Sequence, residues 1–149
     1  MSESVNESPN DPADDPTLKL IEPPSVALTQ PFWDATREHR LLLQWCVSCD
    51  AVVFYPRDVC PTCLGGDLDW REAGGTGTVY AVSVQHRAGP GRDEAAGPYA
   101  VALVDLPEGA RLMTNIVGGD HTEVAVGQSV RVHWHPLPDG RNLPFFERT

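Results

Sequence analysis

Cys46, Cys49, Cys60 and Cys63 follow the spacing C-x2-C-x10-C-x2-C, and they are the only cysteines in the chain. Two intervening residues let one tight turn aim both sulfurs of a pair at a common point. Two such turns on adjacent hairpins complete a tetrahedron around a metal ion, with zinc–sulfur distances near ~2.3 Å. Zinc suits four thiolates best; iron binds the same sulfurs at rubredoxin-like sites, and disulfides are the remaining alternative. A redox-active CxxC works as one pair beside a βαβ pattern, which is absent here. Four thiolates close the coordination shell and leave no position for water or substrate, so the ion has a structural role. Asp50 follows the second cysteine, where a left-handed backbone is often needed, and Asp tolerates it better than most residues. Gly65 and Gly66 are expected to serve the second turn. Arg57, Arg40 and Arg37 are candidates to offset the negative charge of the site. This segment has too little core to fold alone, so metal binding and folding are coupled in it.

The rest of the composition bounds the function. The 149 residues carry a net charge of -10. Residues 1–30 hold six acids (Glu3, Glu7, Asp11, Asp14, Asp15, Glu22) against Lys19. Neither that tail nor the remaining body looks like a surface for nucleic-acid phosphates. No apolar run approaches the about 18 residues of a membrane span, and the N-terminus has neither the basic nor the apolar region of a targeting signal. The expected compartment is the cytoplasm, where thiols stay reduced and paired cysteines bind metal.

Residues 1–24 are rich in Ser, Asn, Asp, Glu and Pro, a composition that cannot offset its own ordering entropy, and read as a disordered acidic tail. Residues 25–40 read as a helical segment, with Thr29 at the N-cap and Pro31 in the first turn. Phe32, Trp33 and Thr36 share one face of it. Residues 41–73 hold the metal ribbon, with short strands over Leu41–Trp45, Val52–Tyr55 and Leu68–Arg71. Gly74-Gly75-Thr76-Gly77 reads as a hinge into residues 74–149, where the pattern turns all-β. Strands are expected over Gly77–His86, Tyr99–Leu106, Ala110–Val117, Ser129–His135 and Leu143–Glu147. In the first, Val79, Ala81, Ser83 and Gln85 alternate against Tyr80, Val82, Val84 and His86. Five short strands with one longer excursion, over residues 118–128, predict a small barrel of the OB type. The fold class is therefore mainly β: a short N-terminal helix, a zinc ribbon and a five-stranded OB-fold barrel.

No catalytic constellation is legible. The cysteines are consumed by the metal, and Lys19 is the only lysine in the chain. His133 and His135 share one strand face, more simply read as strand packing than as a metal site. No GxSxG elbow, HExxH or Walker loop is present. Gly74–Gly77 precedes a strand and opens no helix, so it lacks the setting of a phosphate loop.

A wider pattern carries a resemblance. Its parts are Phe32-Trp33, Leu41-Leu-Leu-Gln-Trp-Cys46, Phe54-Tyr-Pro-Arg57, Cys60-Pro-Thr-Cys63, Gly75-Thr-Gly-Thr-Val-Tyr80, Pro98-Tyr-Ala-Val-Ala-Leu-Val-Asp-Leu106 and Leu143-Pro-Phe-Phe146. Over about residues 25–148 the chain resembles the zinc-ribbon/OB-fold family catalogued as domain of unknown function thirty-five. The resemblance implies a rubredoxin-like zinc ribbon and a role in acyl-CoA metabolism. It implies a non-catalytic accessory subunit for a thiolase-superfamily enzyme (thiolase, acyltransferase or steroid side-chain aldolase) that helps accommodate an acyl-CoA thioester. A hot-dog-fold enoyl-CoA hydratase is a further expected partner. The acidic tail lies outside the family pattern. Within this reading, His86, Arg87 and Arg92, in and beside the Gly/Pro-rich loop Ala88–Pro98, are candidates to meet CoA phosphates. Phe32, Trp33, Phe145 and Phe146 are candidates for the partner surface. The alternatives are a free-standing acyl-CoA-binding module and a single-stranded nucleic-acid-binding OB-fold. The negative body opposes the second, with only Tyr80, Tyr99 and Trp134 on its strands for base stacking.

Overall fold

The structure is a computed structural model, and it describes residues 22–87 and 97–149. It is mainly β. Helix α1 (Gln30–Thr36) follows a short 3-10 turn at Ala27–Thr29. Pro31 occupies the first helical turn and Thr29 the N-cap position, but no side-chain cap forms: the Thr29 hydroxyl donates to Val26 O at 3.2 Å. A helix this short draws its stability from what it packs on. Trp33, Ala35 and Thr36 are buried, and Thr36 locks the helix to the barrel. The Thr36 hydroxyl donates to Trp33 O at 2.7 Å and accepts the Asn142 backbone N–H at 3.1 Å. The Asn142 side-chain amide returns a bond to Thr36 O at 2.9 Å.

Three strands make the ribbon: β1 (Leu42–Cys46), β2 (Ala51–Val53) and β3 (Leu68–Glu72), antiparallel in the order β2-β1-β3. Leu43 enters the main core together with Leu41, which precedes β1, and Val52 and Phe54 pack against it, so ribbon and barrel share one apolar interior. The glycine segment between them is pinned more firmly than a hinge. Gly74 N–H donates to Glu108 Oε1 at 2.8 Å, and Gly75 O accepts Val132 N–H at 2.7 Å. At Gly77 a Cβ would lie 2.5 Å from Val104 Cγ1 and 2.8 Å from Asp105 O, so only glycine lets the strand approach this closely.

The barrel comprises β4 (Thr76–Gln85), β5 (Tyr99–Asp105), β6 (Arg111–Val117), β7 (Ser129–Pro136) and β8 (Asn142–Arg148), closed in the order β4-β5-β6-β8-β7. Residues 118–128 contain the 3-10 turn His121–Glu123. The simple alternation expected along β4 is broken. A bulge between Val79 and Ala81 shifts the register against β5, so Val79 and Val82 both face the core and Tyr80 points out. The extra residue flips the phase of everything after it. β6 and β8 meet in parallel only at Ile116↔Phe146 and Val117↔Glu147. Before those pairs the strands are joined through the Thr114 hydroxyl, which donates to Pro144 O at 2.8 Å, and the seam there is flanked by Phe32 and Trp33 of α1. Among the described residues, no helix is long and apolar enough to cross a membrane.

Candidate functional site

The four cysteines converge at one end of the ribbon. Cys46 closes β1, Cys49 lies in the turn into β2, and Cys60 and Cys63 lie on the long connection from β2 to β3. Their sulfurs all lie within 4.8 Å of one another, with Cys46–Cys63 at 3.7 Å and Cys49–Cys60 at 3.9 Å. A tetrahedron with metal–sulfur bonds of ~2.3 Å has edges of about 3.8 Å, whereas a disulfide needs about 2.05 Å. The four side chains therefore fit a metal ion, and none is disulfide-bonded. When bound, such an ion supplies a cross-link between the two turns. Among the described residues this is the one group of three or more His, Cys, Asp or Glu side chains placed to hold a metal.

Backbone amides donate to the sulfurs. The N–H groups of Cys49, Thr62 and Gly65 donate to Cys46, Cys60 and Cys63, each at 3.4 Å. The N–H groups of Cys63 and Thr62 lower the Cys60 thiol to about 6, while the neighbouring Cys63 and Cys46 sulfurs push Cys49 up to about 12. Two of the three arginines named from sequence are engaged elsewhere. Arg37 donates to Asp139 O, and Arg40 pairs with Glu72. Arg57 contributes only its backbone, which both sides of the Gln44 amide bracket at 2.8 Å. That bracket fixes the connection leading to the second cysteine pair.

Asp50 adopts the expected left-handed backbone, with φ 50°. In the second turn the left-handed residue is Leu64, with φ 60°, and not Gly65 or Gly66. Gly65 has a different duty: a Cβ there would stand 3.3 Å from Cys63 Sγ, beside the amide that bonds the sulfur.

The other residues singled out from sequence do not join the metal site. His86 and Arg87 are exposed just past the end of β4, and Arg92 lies outside the described residues, as do residues 1–21. Phe146 is 0% exposed in the barrel core and Phe145 is also buried, so the large apolar surface expected of this pair is absorbed inside. Phe146 can present nothing to a partner. Phe145, Trp33 and the half-buried Phe32 instead form part of an apolar groove of about 320 Å³ over the β6–β8 seam. Tyr55 and Met113, both largely exposed, complete its walls. No acid, base or thiol lines it. Sequence periodicity carried no signal for this groove, because its walls come from the helix, the ribbon and two barrel strands. His133 and His135 part company: His133 Nδ1 is 3.6 Å from Glu147, whereas His135 is buried and stacks on Phe145.

The spacing, ribbon and barrel have matches among known proteins. Residues 33–69 match the family described as the ChsH2 rubredoxin-like zinc ribbon domain, and residues 70–135 match the ChsH2 C-terminal OB-fold domain. A chain in a solved structure named "Ltp2-ChsH2(DUF35) aldolase" superposes with a TM-score of 0.75 at 34% identity, covering 85% of this chain and 98% of that one. This chain belongs to the DUF35 family. A relative from Thermomonospora curvata, named "Probable enoyl-CoA hydratase alpha subunit", is 37% identical over 130 residues, 86% of this chain and 40% of the relative. A "DUF35 domain-containing scaffold protein" from Methanocaldococcus jannaschii is 36% identical over 86 residues, 57% of this chain and 60% of the relative. The chain thus spans less than two thirds of the length of both curated relatives.

Proposed function

We propose that this DUF35 chain is a non-catalytic, zinc-carrying scaffold subunit of an acyl-CoA-processing complex. Its partner is a thiolase-superfamily enzyme, and the chain helps accommodate the acyl-CoA thioester. The observation that carries the reading is the match over 98% of a chain of an aldolase named for two components, Ltp2 and ChsH2(DUF35). The chemistry of this chain agrees. Its thiols converge on one closed metal site, and the apolar groove over the β6–β8 seam holds no general base or strong nucleophile. Described carboxylates such as Asp105, Asp139 and Glu72 are committed to arginine pairs. Zinc is the ion proposed, since it favours a tetrahedral four-sulfur shell. His86, Arg87 and Arg92 are the groups proposed to face the CoA phosphates, and Phe32 with Trp33 the aromatic part of the partner surface.

The name of the Thermomonospora curvata relative favours a second reading, in which the partner is a hot-dog-fold enoyl-CoA hydratase. Co-expression with each class of enzyme, followed by size exclusion, separates the two. Co-elution with the thiolase-like enzyme is expected. Elution of this chain alone in both experiments contradicts the subunit reading and leaves a free-standing acyl-CoA-binding module.

A further inference from the structure

The tip of the metal ribbon has a feature that metal binding does not require. Leu64 immediately follows Cys63 and adopts φ 60°, a left-handed conformation that a bulky side chain rarely takes. The equivalent position after Cys49 holds Asp50, which accepts this conformation more readily. Two backbone bonds hold Leu64 there: Leu64 N–H donates to Cys60 O, and Cys60 N–H donates to Gly65 O, both at 2.9 Å. The turn would form more easily with glycine at this position. Instead it holds a leucine that is 73% exposed, the most exposed large apolar side chain among the described residues. Val47, after Cys46, and Val59, before Cys60, are also exposed. Their cysteines' sulfurs converge on one point, so the three side chains surround a single tip.

The tip is also negatively charged. Residues 46–69 carry four aspartates (Asp50, Asp58, Asp67, Asp69) against Arg57, before any charge on the thiolates is counted, and Arg71 pairs with Asp50 and Asp69. Asp58 adjoins Val59, and Asp67 lies beside Val47, accepting its N–H through the backbone carbonyl at 3.0 Å. Both aspartates are exposed, and neither makes an ion pair with another described residue.

We infer that Leu64 is an anchor for the partner enzyme, inserted into an apolar pocket whose rim carries arginine or lysine side chains. The left-handed turn belongs to the metal site, but a leucine in it adds strain that glycine would avoid, and such strain clusters at functional sites. Hot-spot anchors of interfaces are apolar groups that become fully desolvated in such pockets. The unpaired aspartates define the sign of the rim that fits around it. This inference rests on the subunit reading above.

Leu64→Gly separates anchoring from folding. The substitution removes the side chain and the strain together, so metal content should stay the same and thermal stability should hold or rise. Affinity for the co-expressed thiolase-superfamily enzyme, measured by titration of purified components, should fall by about tenfold or more, the loss expected when a buried leucine contact disappears. Equal affinity of Leu64→Gly and wild type overturns the inference while leaving the subunit reading intact. No binding by the wild type overturns the subunit reading itself. If Leu64→Gly loses metal, Leu64→Asn, which tolerates the same backbone, serves in its place and is judged by the same affinities.

Discussion

Thr36→Val tests how the N-terminal helix is joined to the barrel. Thr36 is 0% exposed, and Asn142 is 6% exposed. Valine keeps the shape of threonine but cannot accept the Asn142 N–H, which now lies 3.1 Å from the Thr36 hydroxyl oxygen. It also loses the 2.7 Å bond to Trp33 O. A buried donor left without a partner costs about 1–3 kcal/mol, and the second bond adds about 1 kcal/mol. For a domain of this size that total lowers the melting temperature by roughly 5–10 °C. Thr36→Ser keeps the hydroxyl and loses one methyl, about 0.8 kcal/mol, so it should melt between wild type and Thr36→Val. Thermal unfolding followed by circular dichroism gives the order. A Thr36→Val protein that melts within 1 °C of wild type, or below which Thr36→Ser falls, refutes the lock and leaves apolar packing as what holds the helix.

Three further outcomes follow from the same geometry. Cys60→Ser opens the four-sulfur shell, and elemental analysis should show bound zinc falling from one ion per chain to a small fraction of that, with a poorly soluble product. Phe146→Ala empties the centre of the barrel and should cost about 3–5 kcal/mol in chemical denaturation. The Arg141 backbone N–H, and then its guanidinium, hold the Asp139 carboxyl below its ordinary value. A depressed carboxyl stabilises the fold above the ordinary carboxylate range, and that contribution disappears as pH falls through the lowered value. Asp139→Asn should therefore flatten this part of the acid limb in a melting series from about pH 2 to 5.

The legible parts of the molecule were those written in local periodicity or local spacing. The barrel strands were readable as short apolar runs separated by Gly- and Pro-containing turns, and the ribbon strands as the runs that bracket the cysteines. The metal site was readable because both cysteine turns are short-range features. What escaped depends on tertiary geometry. The bulge at Tyr80 is set by pairing with β5, and nothing in Val79-Tyr80-Ala81 announces it. Phe145 and Phe146 read as surplus apolar surface only while the barrel that buries them was unseen. Leu64 was passed over because two glycines follow it, and they look like the natural owners of a left-handed turn. Arg37 and Arg40 looked available to the thiolates until their carbonyl and carboxylate partners in the fold were visible.

As proposed, this chain contributes structure, and no chemistry, to an acyl-CoA enzyme. Turnover of acyl-CoA by this chain alone, by the thiolase-like enzyme alone, and by the enzyme titrated with this chain tests that role. No turnover by the chain is expected, with an enzyme activity that rises and saturates at a fixed ratio of the two. Turnover by the isolated chain, or an enzyme whose activity and solubility are unchanged by adding it, contradicts the subunit reading.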